Sequence, residues 1–313
     1  MKLSLFFALI MSLILSSCQS EKKIELKFTP AVGQSFRMIL IKKQVITESS
    51  AMGDRKSEIT SNTGYRFFVK DKQQYTTTLD VSIESVKLRL STPQGTFQFN
   101  SAKPGSSTNF LSFIYRQMIG QKVQLILKTD GEVLSVRGLD AWAEHMLDSL
   151  GVSDQKMRES FKEGFRQFYS ENTLRAAYNR VFNIFPDKKI KLNETWERTL
   201  KLDMPVAHQK KESWKLIEYT PEKAVLELYA KISSPDSGDT PELPQLKSKY
   251  HVWGIETASF EIDPRTGWIL AAKRLSYIKS KITLENKSQK ALKVEVPIKF
   301  QEQIRFLPVD EVL

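Results

Sequence analysis

The sequence has little of the material from which most active sites are made. Among its 313 residues there are one Cys and three His. A single Cys excludes an intramolecular disulfide. His145, His208 and His251 stand far apart, which leaves little for a metal or acid–base site. There is no G-x-S-x-G elbow, no H-E-x-x-H, no Walker A loop and no G-x-G-x-x-G, so the common hydrolase, zinc and nucleotide signatures are missing. Acidic residues are in deficit: Lys+Arg is 47 against Asp+Glu 36, a formal net charge of +11. Hydrophobic residues at 41% and charged residues at 27% exclude a disordered chain and a polytopic membrane protein. The length is enough for one large domain or two modest ones with a substantial core.

What is present starts with Lys2 and the apolar run Leu3 to Leu15. The run is shorter than the roughly 20 residues that span a bilayer, and it has the layout of a secretion signal. Leu15-Ser16-Ser17-Cys18 follows, ending on the only Cys. This pattern resembles the bacterial lipobox. The resemblance implies lipidation of the Cys18 thiol, cleavage between Ser17 and Cys18, and acylation of the new amino terminus with a chain such as palmitate. Residues 1–17 are then a signal peptide, residues 18–23 a tether, and residues 24–313 a single β-rich domain. Each buried methylene adds about 0.8 kcal/mol of membrane affinity, and more than one chain anchors stably. An acylated Cys18 is no thiol nucleophile.

Gln19 to Lys23 has one acid before two lysines, and no Asp directly follows Cys18. The expectation is an anchor in the outer membrane, on its periplasmic side. An exported chain argues against a nucleic-acid partner. Lys188-Lys189, Lys210-Lys211 and the lysines between 287 and 293 are dispersed. They suit solvated strand faces, or attraction to anionic lipid, lipopolysaccharide or another acidic polymer.

From Ile24 onward the apolar period is mostly two. Phe36, Met38 and Leu40 form one alternating set, and Tyr65, Phe67 and Val69 a second. Tyr75 to Ile83 form a third, whose phase slips before Val86, Leu88 and Leu90. The slip predicts a bulge near Glu84-Ser85. Met52-Gly53-Asp54 and Lys70-Asp71-Lys72 read as turns, and Thr129-Asp130-Gly131 as a hairpin. Runs of up to about 15 residues extend roughly 50 Å, which favours a long curved sheet or half-barrel.

A helical segment interrupts the strands. Asn109 to Ile119 reads as a helix capped by Thr108. Leu139 to Leu150, a second helix from Ser153, and a third carrying Leu174 to Phe182 fill about residues 139–185 and stop before Pro186. Trp142, Met146, Met157, Phe161, Phe165, Phe168, Tyr178 and Phe182 form an apolar stripe that is expected to pack on the concave face of the sheet. Strands resume at Glu194, with a turn at Asp263-Pro264-Arg265-Thr266-Gly267. Strands on both sides of one helical segment give an α+β fold, mainly antiparallel β. Asp236 to Asp239 lacks the remaining ligands of a calcium loop, and no metal or cofactor is expected.

Several spaced motifs stand out: Gly120-Gln121, Thr129-Asp130-Gly131 running to Leu139, Phe185-Pro186 followed by Glu194-Thr195-Trp196, and Phe260 to Asp263 before Thr266-Gly267. Together they resemble an uncharacterised family of secreted and lipoprotein β-rich proteins common in Bacteroidota. The resemblance implies a fold and an envelope location but carries no catalytic residues. It departs at Asn193-Glu194, where the family pattern usually has Gly-Asp before the Trp.

Two function classes follow. One is a membrane-anchored envelope lipoprotein with a non-catalytic binding or structural role, holding a lipid or other apolar ligand. The other is an envelope hydrolase acting on glycans through a carboxylate pair about 5–10 Å apart. The absence of a catalytic motif favours the first. Trp196, Trp214, Trp253 and Trp268 read as packing residues or as a ligand platform.

Overall fold

Alternation of apolar and polar residues places the strands, because successive side chains point to opposite faces. The computed structural model describes residues 23–50, 53–103, 110–202, 208–234, 246–286 and 293–308. Four strands come first: β1 (Ser35–Ser50), β2 (Gly53–Lys72), β3 (Thr76–Thr92) and β4 (Gly95–Asn100). Helix α1 (Phe110–Met118), β5 (Lys122–Lys128) and β6 (Val133–Arg137) follow, then helices α2 (Leu139–Ser149), α3 (Gln155–Phe168) and α4 (Glu171–Phe182). The chain continues with β7 (Thr195–Leu202), β8 (His208–Tyr219), β9 (Ala224–Ser233), β10 (Leu246–Ile262), β11 (Ile269–Asn286) and β12 (Lys293–Pro308).

All twelve strands belong to one sheet, in the order β6-β5-β3-β2-β1-β12-β11-β10-β9-β8-β7 with β4 beside β3. Every pairing is antiparallel. The α+β class expected from the sequence is therefore the one found, as a single open sheet. The expected bulge is present: Gly64 faces Ser85 while Tyr65 faces Ile83, which leaves Glu84 as the extra residue. The Lys70-Asp71-Lys72 turn is not formed. A register shift after Val69 lets Asp71 and Lys72 keep pairing with Thr78 and Thr77, so β2 runs on to Lys72.

Helices α3 and α4 start at capping side chains. Asp154 accepts from the Met157 N–H at 2.9 Å and Ser170 from the Thr173 N–H at 3.1 Å, each satisfying a donor that the first turn leaves free. Thr108 lies outside the described residues. Met157 is 61% exposed, so the buried stripe of α3 begins at Phe161. Phe165 stacks on Tyr169 at 4.9 Å and meets Trp142 edge-on at 5.8 Å. Phe182 of α4 meets Phe67 of β2 at 5.8 Å. Tyr115 of α1 stacks on Phe99 of β4 at 5.7 Å. Both strand residues lie on one face of the sheet, hereafter the inner face.

One end of the sheet is drawn together. The Phe28 N–H donates to Thr129 O, in the β5–β6 turn, and the Thr29 N–H to Thr266 O, in the β10–β11 turn, each at 2.7 Å. In a flat sheet those turns would lie at least five strand spacings apart, about 24 Å. Adjacent Cα atoms are only about 3.8 Å apart, so the strand ends converge on this segment. Leu26, Phe28, Ile184 and Ile190 are fully buried there, and Ile24 bridges Ile190. Together they plug this end. Asn193, beside the plug, has φ 65° and is the only described non-glycine residue with positive φ. Asn tolerates the left-handed region better than most residues, so it takes the position where the resembled pattern has Gly.

Candidate functional site: an ion ladder below an apolar wall

Directly paired residues share a face of a sheet, so the registers can be read across it. Above the plug the inner face is apolar: Leu216, Leu226, Phe260, Ala272, Phe306 and Leu40 form one row. The row two residues further along carries Trp196, Trp214, Leu228, Ala258, Arg274, Ile304 and Lys42. The next is largely polar: Arg198, Glu212, Ala230, Glu256, Ser276, Glu302 and Gln44. Charged residues thus occupy positions that alternation assigns to the core.

Glu256 is the hub. Its carboxylate accepts from Lys210 Nζ at 2.5 Å, Arg180 at 3.2 Å and Ser276 Oγ at 2.9 Å, with Arg274 at 3.6 Å. Lys210 also holds Glu212 at 2.8 Å. Glu212 accepts in addition from Arg198 and from Trp214 Nε1, the latter at 2.9 Å. Glu302 meets Arg180 at 3.1 Å and Lys42 at 3.7 Å. Arg198 continues to the Asn183 side chain at 2.7 Å and lies over the Trp214 ring. Arg274 donates to the Arg180 carbonyl, which ties the last turn of α4 to the sheet.

Five cations therefore face three carboxylates, an excess of two positive charges. Burial works against the charge on Glu256, but Arg274, Lys210 and Arg180 outweigh it and hold the carboxyl well below the usual range. Burial likewise opposes the charge on Glu212, and Lys210 and Arg198 lower its pKa. Burial pushes the Lys210 ammonium below its ordinary value against the pull of Glu256 and Glu212. A buried charge is tolerated only when paired and hydrogen-bonded, and each carboxylate here meets that condition. Arg180 and Lys42 are the accessible members, with 40% and 31% of their side chains exposed.

Beyond the ladder, away from the plug, the inner face turns apolar again. Ile46, Phe300 and Ile278 share one row, and Ile298 and Val252 lie on the next. All five are partly exposed, and none joins the hydrophobic core. The site is thus an apolar wall over a floor with surplus positive charge.

The residues singled out from sequence fall in different places. Cys18, where lipidation is expected from the sequence, and Asp236 to Asp239 lie outside the described residues. The four tryptophans do not form one platform. Trp196 stacks on Trp214 at 6.1 Å in the core, Trp268 stacks on Phe36 at 3.8 Å, and Trp253 is 40% exposed on the other face. His145 and His251 are exposed, and no group of His, Cys, Asp and Glu suited to a metal occurs among the described residues. The ladder was not anticipated.

Residues 74–269, more than half of the chain, match a family of unknown function (DUF6263). The chain belongs to that family. This agrees with the expectation of an uncharacterised family. No curated protein matches. Among solved structures the chain is similar to lipovitellin, from a study of its lipid–protein interactions, at 10% identity and TM-score 0.47. The match covers 89% of this chain and 25% of lipovitellin, so this chain spans a quarter of that protein's length. DynF of the dynemicin pathway of Micromonospora chersina aligns over 94% of this chain and 93% of its own, at 6% identity and TM-score 0.20. OpdQ of Pseudomonas aeruginosa aligns over 89% and 100%, at 7% identity and TM-score 0.21.

Proposed function

We propose that this protein is a lipid-anchored envelope protein that binds an amphiphile with an acidic head group and performs no chemistry on it. The observation that carries the reading is the inner face itself. The ladder carries a surplus of two positive charges beside a partly exposed apolar wall, and Arg180 and Lys42 are its accessible members. An acidic head would meet these two cations while its chain lay along Ile46, Ile278 and Phe300. Most ligand sites combine apolar walls with a few placed polar groups in this way.

The glycan-hydrolase reading is weaker on the same geometry. Glu212 and Glu256 share the Lys210 ammonium, so the chain does hold a close carboxylate pair. A glycosidase needs one carboxyl kept protonated by a raised pKa. Both of these are lowered.

The test is extraction of the protein purified from native membranes, followed by mass spectrometry of the extract. A discrete acidic lipid is expected, at greatly reduced occupancy in Lys42→Gln. An empty extract, together with no uptake of a fluorescent fatty acid by the delipidated protein, would sink the reading. The anchor is a separate part of the proposal. Cys18→Ala is expected to release the protein from the outer membrane or leave its signal uncleaved, and a processed variant still in the membrane fraction would refute it.

A further inference from the structure

The outer face of the sheet has its own pattern, independent of the inner site. Two adjacent rows cross seven strands from β7 to β1. One reads Thr199, Lys211, Lys231, Ile255, Tyr277, Gln301, Val45, and the other Lys201, Gln209, Ser233, Trp253, Lys279, Lys299, Thr47. They contain five lysines, all exposed, and no acid. Lys211 stands directly opposite Lys231, and Lys279 directly opposite Lys299. Like charges directly opposite each other destabilise a sheet. The lysines surround exposed apolar side chains: Trp253 is 40% exposed, Ile255 44% and Tyr277 53%, with Tyr229 beside them at 46%.

We propose that this face docks on an anionic phospholipid bilayer. The charge is complementary, and the composition suits a membrane interface. Trp and Tyr place an apolar ring among acyl chains and a polar edge among head groups. Lys lays its stem along apolar surface while the ammonium stays with the phosphates. The same face repels itself in solution and is relieved by an anionic surface. Docked this way, the sheet lies against the bilayer while the inner face and its helices point away.

Trp253 is the reporter. The other four tryptophans, Trp142, Trp196, Trp214 and Trp268, are buried, so quenching by membrane-embedded bromine reads Trp253 alone. The full chain is reconstituted with brominated phosphatidylcholine vesicles, or with an equal mixture of brominated phosphatidylcholine and phosphatidylglycerol. Quenching is expected in the mixture, reversed by high salt and absent in Trp253→Phe. An amino-terminal anchor alone would act equally in both vesicle types. Each lysine near an anionic surface strengthens binding about five-fold, so Lys231→Gln with Lys279→Gln should weaken docking about 25-fold. Lys211→Gln with Lys299→Gln is a second pair, should the first fail to fold. Equal quenching in the two vesicle types, no quenching in either, or quenching untouched by a folded lysine variant overturns the proposal. Lipid co-extraction from the inner face should be unchanged in these variants, so the two readings fail separately.

Discussion

Glu256 sits where alternation demands an apolar side chain, and three cations depend on it. Replacing it by Gln leaves Lys210, Arg274 and Arg180 short of a counter-charge in a buried setting. Breaking a buried pair from one side costs about 3–5 kcal/mol, and Glu256→Gln is expected to lose that much in urea unfolding. Acid acts on the same groups. Glu256 and Glu212 have lowered pKa values in the fold, so their stabilisation is present above the ordinary carboxylate value of about 4.3 and is lost as pH falls below it. The melting temperature should therefore fall steeply below that pH, and a profile flat through it would contradict the pairing. At the alkaline end, burial raises Tyr65 and Tyr169 to about 12. The folded chain keeps protons that the unfolded chain loses near pH 10, so stability should decline between about 10 and about 12, with phenolate absorbance following unfolding. The ladder left one trace in the sequence: Lys210 and Glu212 share the phase of Trp214 and Leu216, and Glu256 that of Ala258 and Phe260. Which cation met which acid was hidden, because the partners lie on strands and a helix distant in sequence.

At the scale of elements, local chemistry was far more legible. The Thr129-Asp130-Gly131 hairpin, the bulge at Glu84 and the four described helices each follow from a short signal: a turn pair, a phase slip, apolar residues at helical spacing. Gly131 adds what no local signal contains. At φ +83° its missing Cβ would lie 1.8 Å from the Phe182 carbonyl oxygen, so the hairpin and the end of α4 touch backbone to backbone. The hairpin is legible in Asp130-Gly131, whereas its contact with α4 joins segments about 50 residues apart. Between α2 and α3, Arg158 binds Glu144, Asp148 at 2.9 Å and the Val152 carbonyl at 2.7 Å. These surface ion pairs contribute little each, and the contact rests on Trp142, Phe165 and Tyr169. Phe165→Ala should cost about 3–5 kcal/mol by thermal denaturation. A melting temperature equal to that of the parent would mean that the ring lines a cavity and supports nothing.

Across the whole molecule, β1 pairs with β12, Met38 opposite Pro308, in the middle of the strand order. The family segment, residues 74–269, holds the two flanks of the sheet and omits β1, β2, β12 and all but the first residue of β11 at its centre. A chain ending at residue 292 should therefore lose the join between the flanks, which soluble yield and gel filtration would report as aggregation. Retention of a monomer with the parent melting temperature would speak against that. Sequence patterning showed long alternating runs but neither the number of strands nor their order, because period two fixes which face a residue takes and not which strand lies beside it. The order makes the protein a matter of timing. A chain that is delivered lengthwise presents β1 first and its partner last, so one finished side of β1 waits with unpaired amides until nearly everything else has arrived. Whatever guards that waiting strand, a chaperone or the speed of the final zippering, decides how many copies of this protein are ever completed.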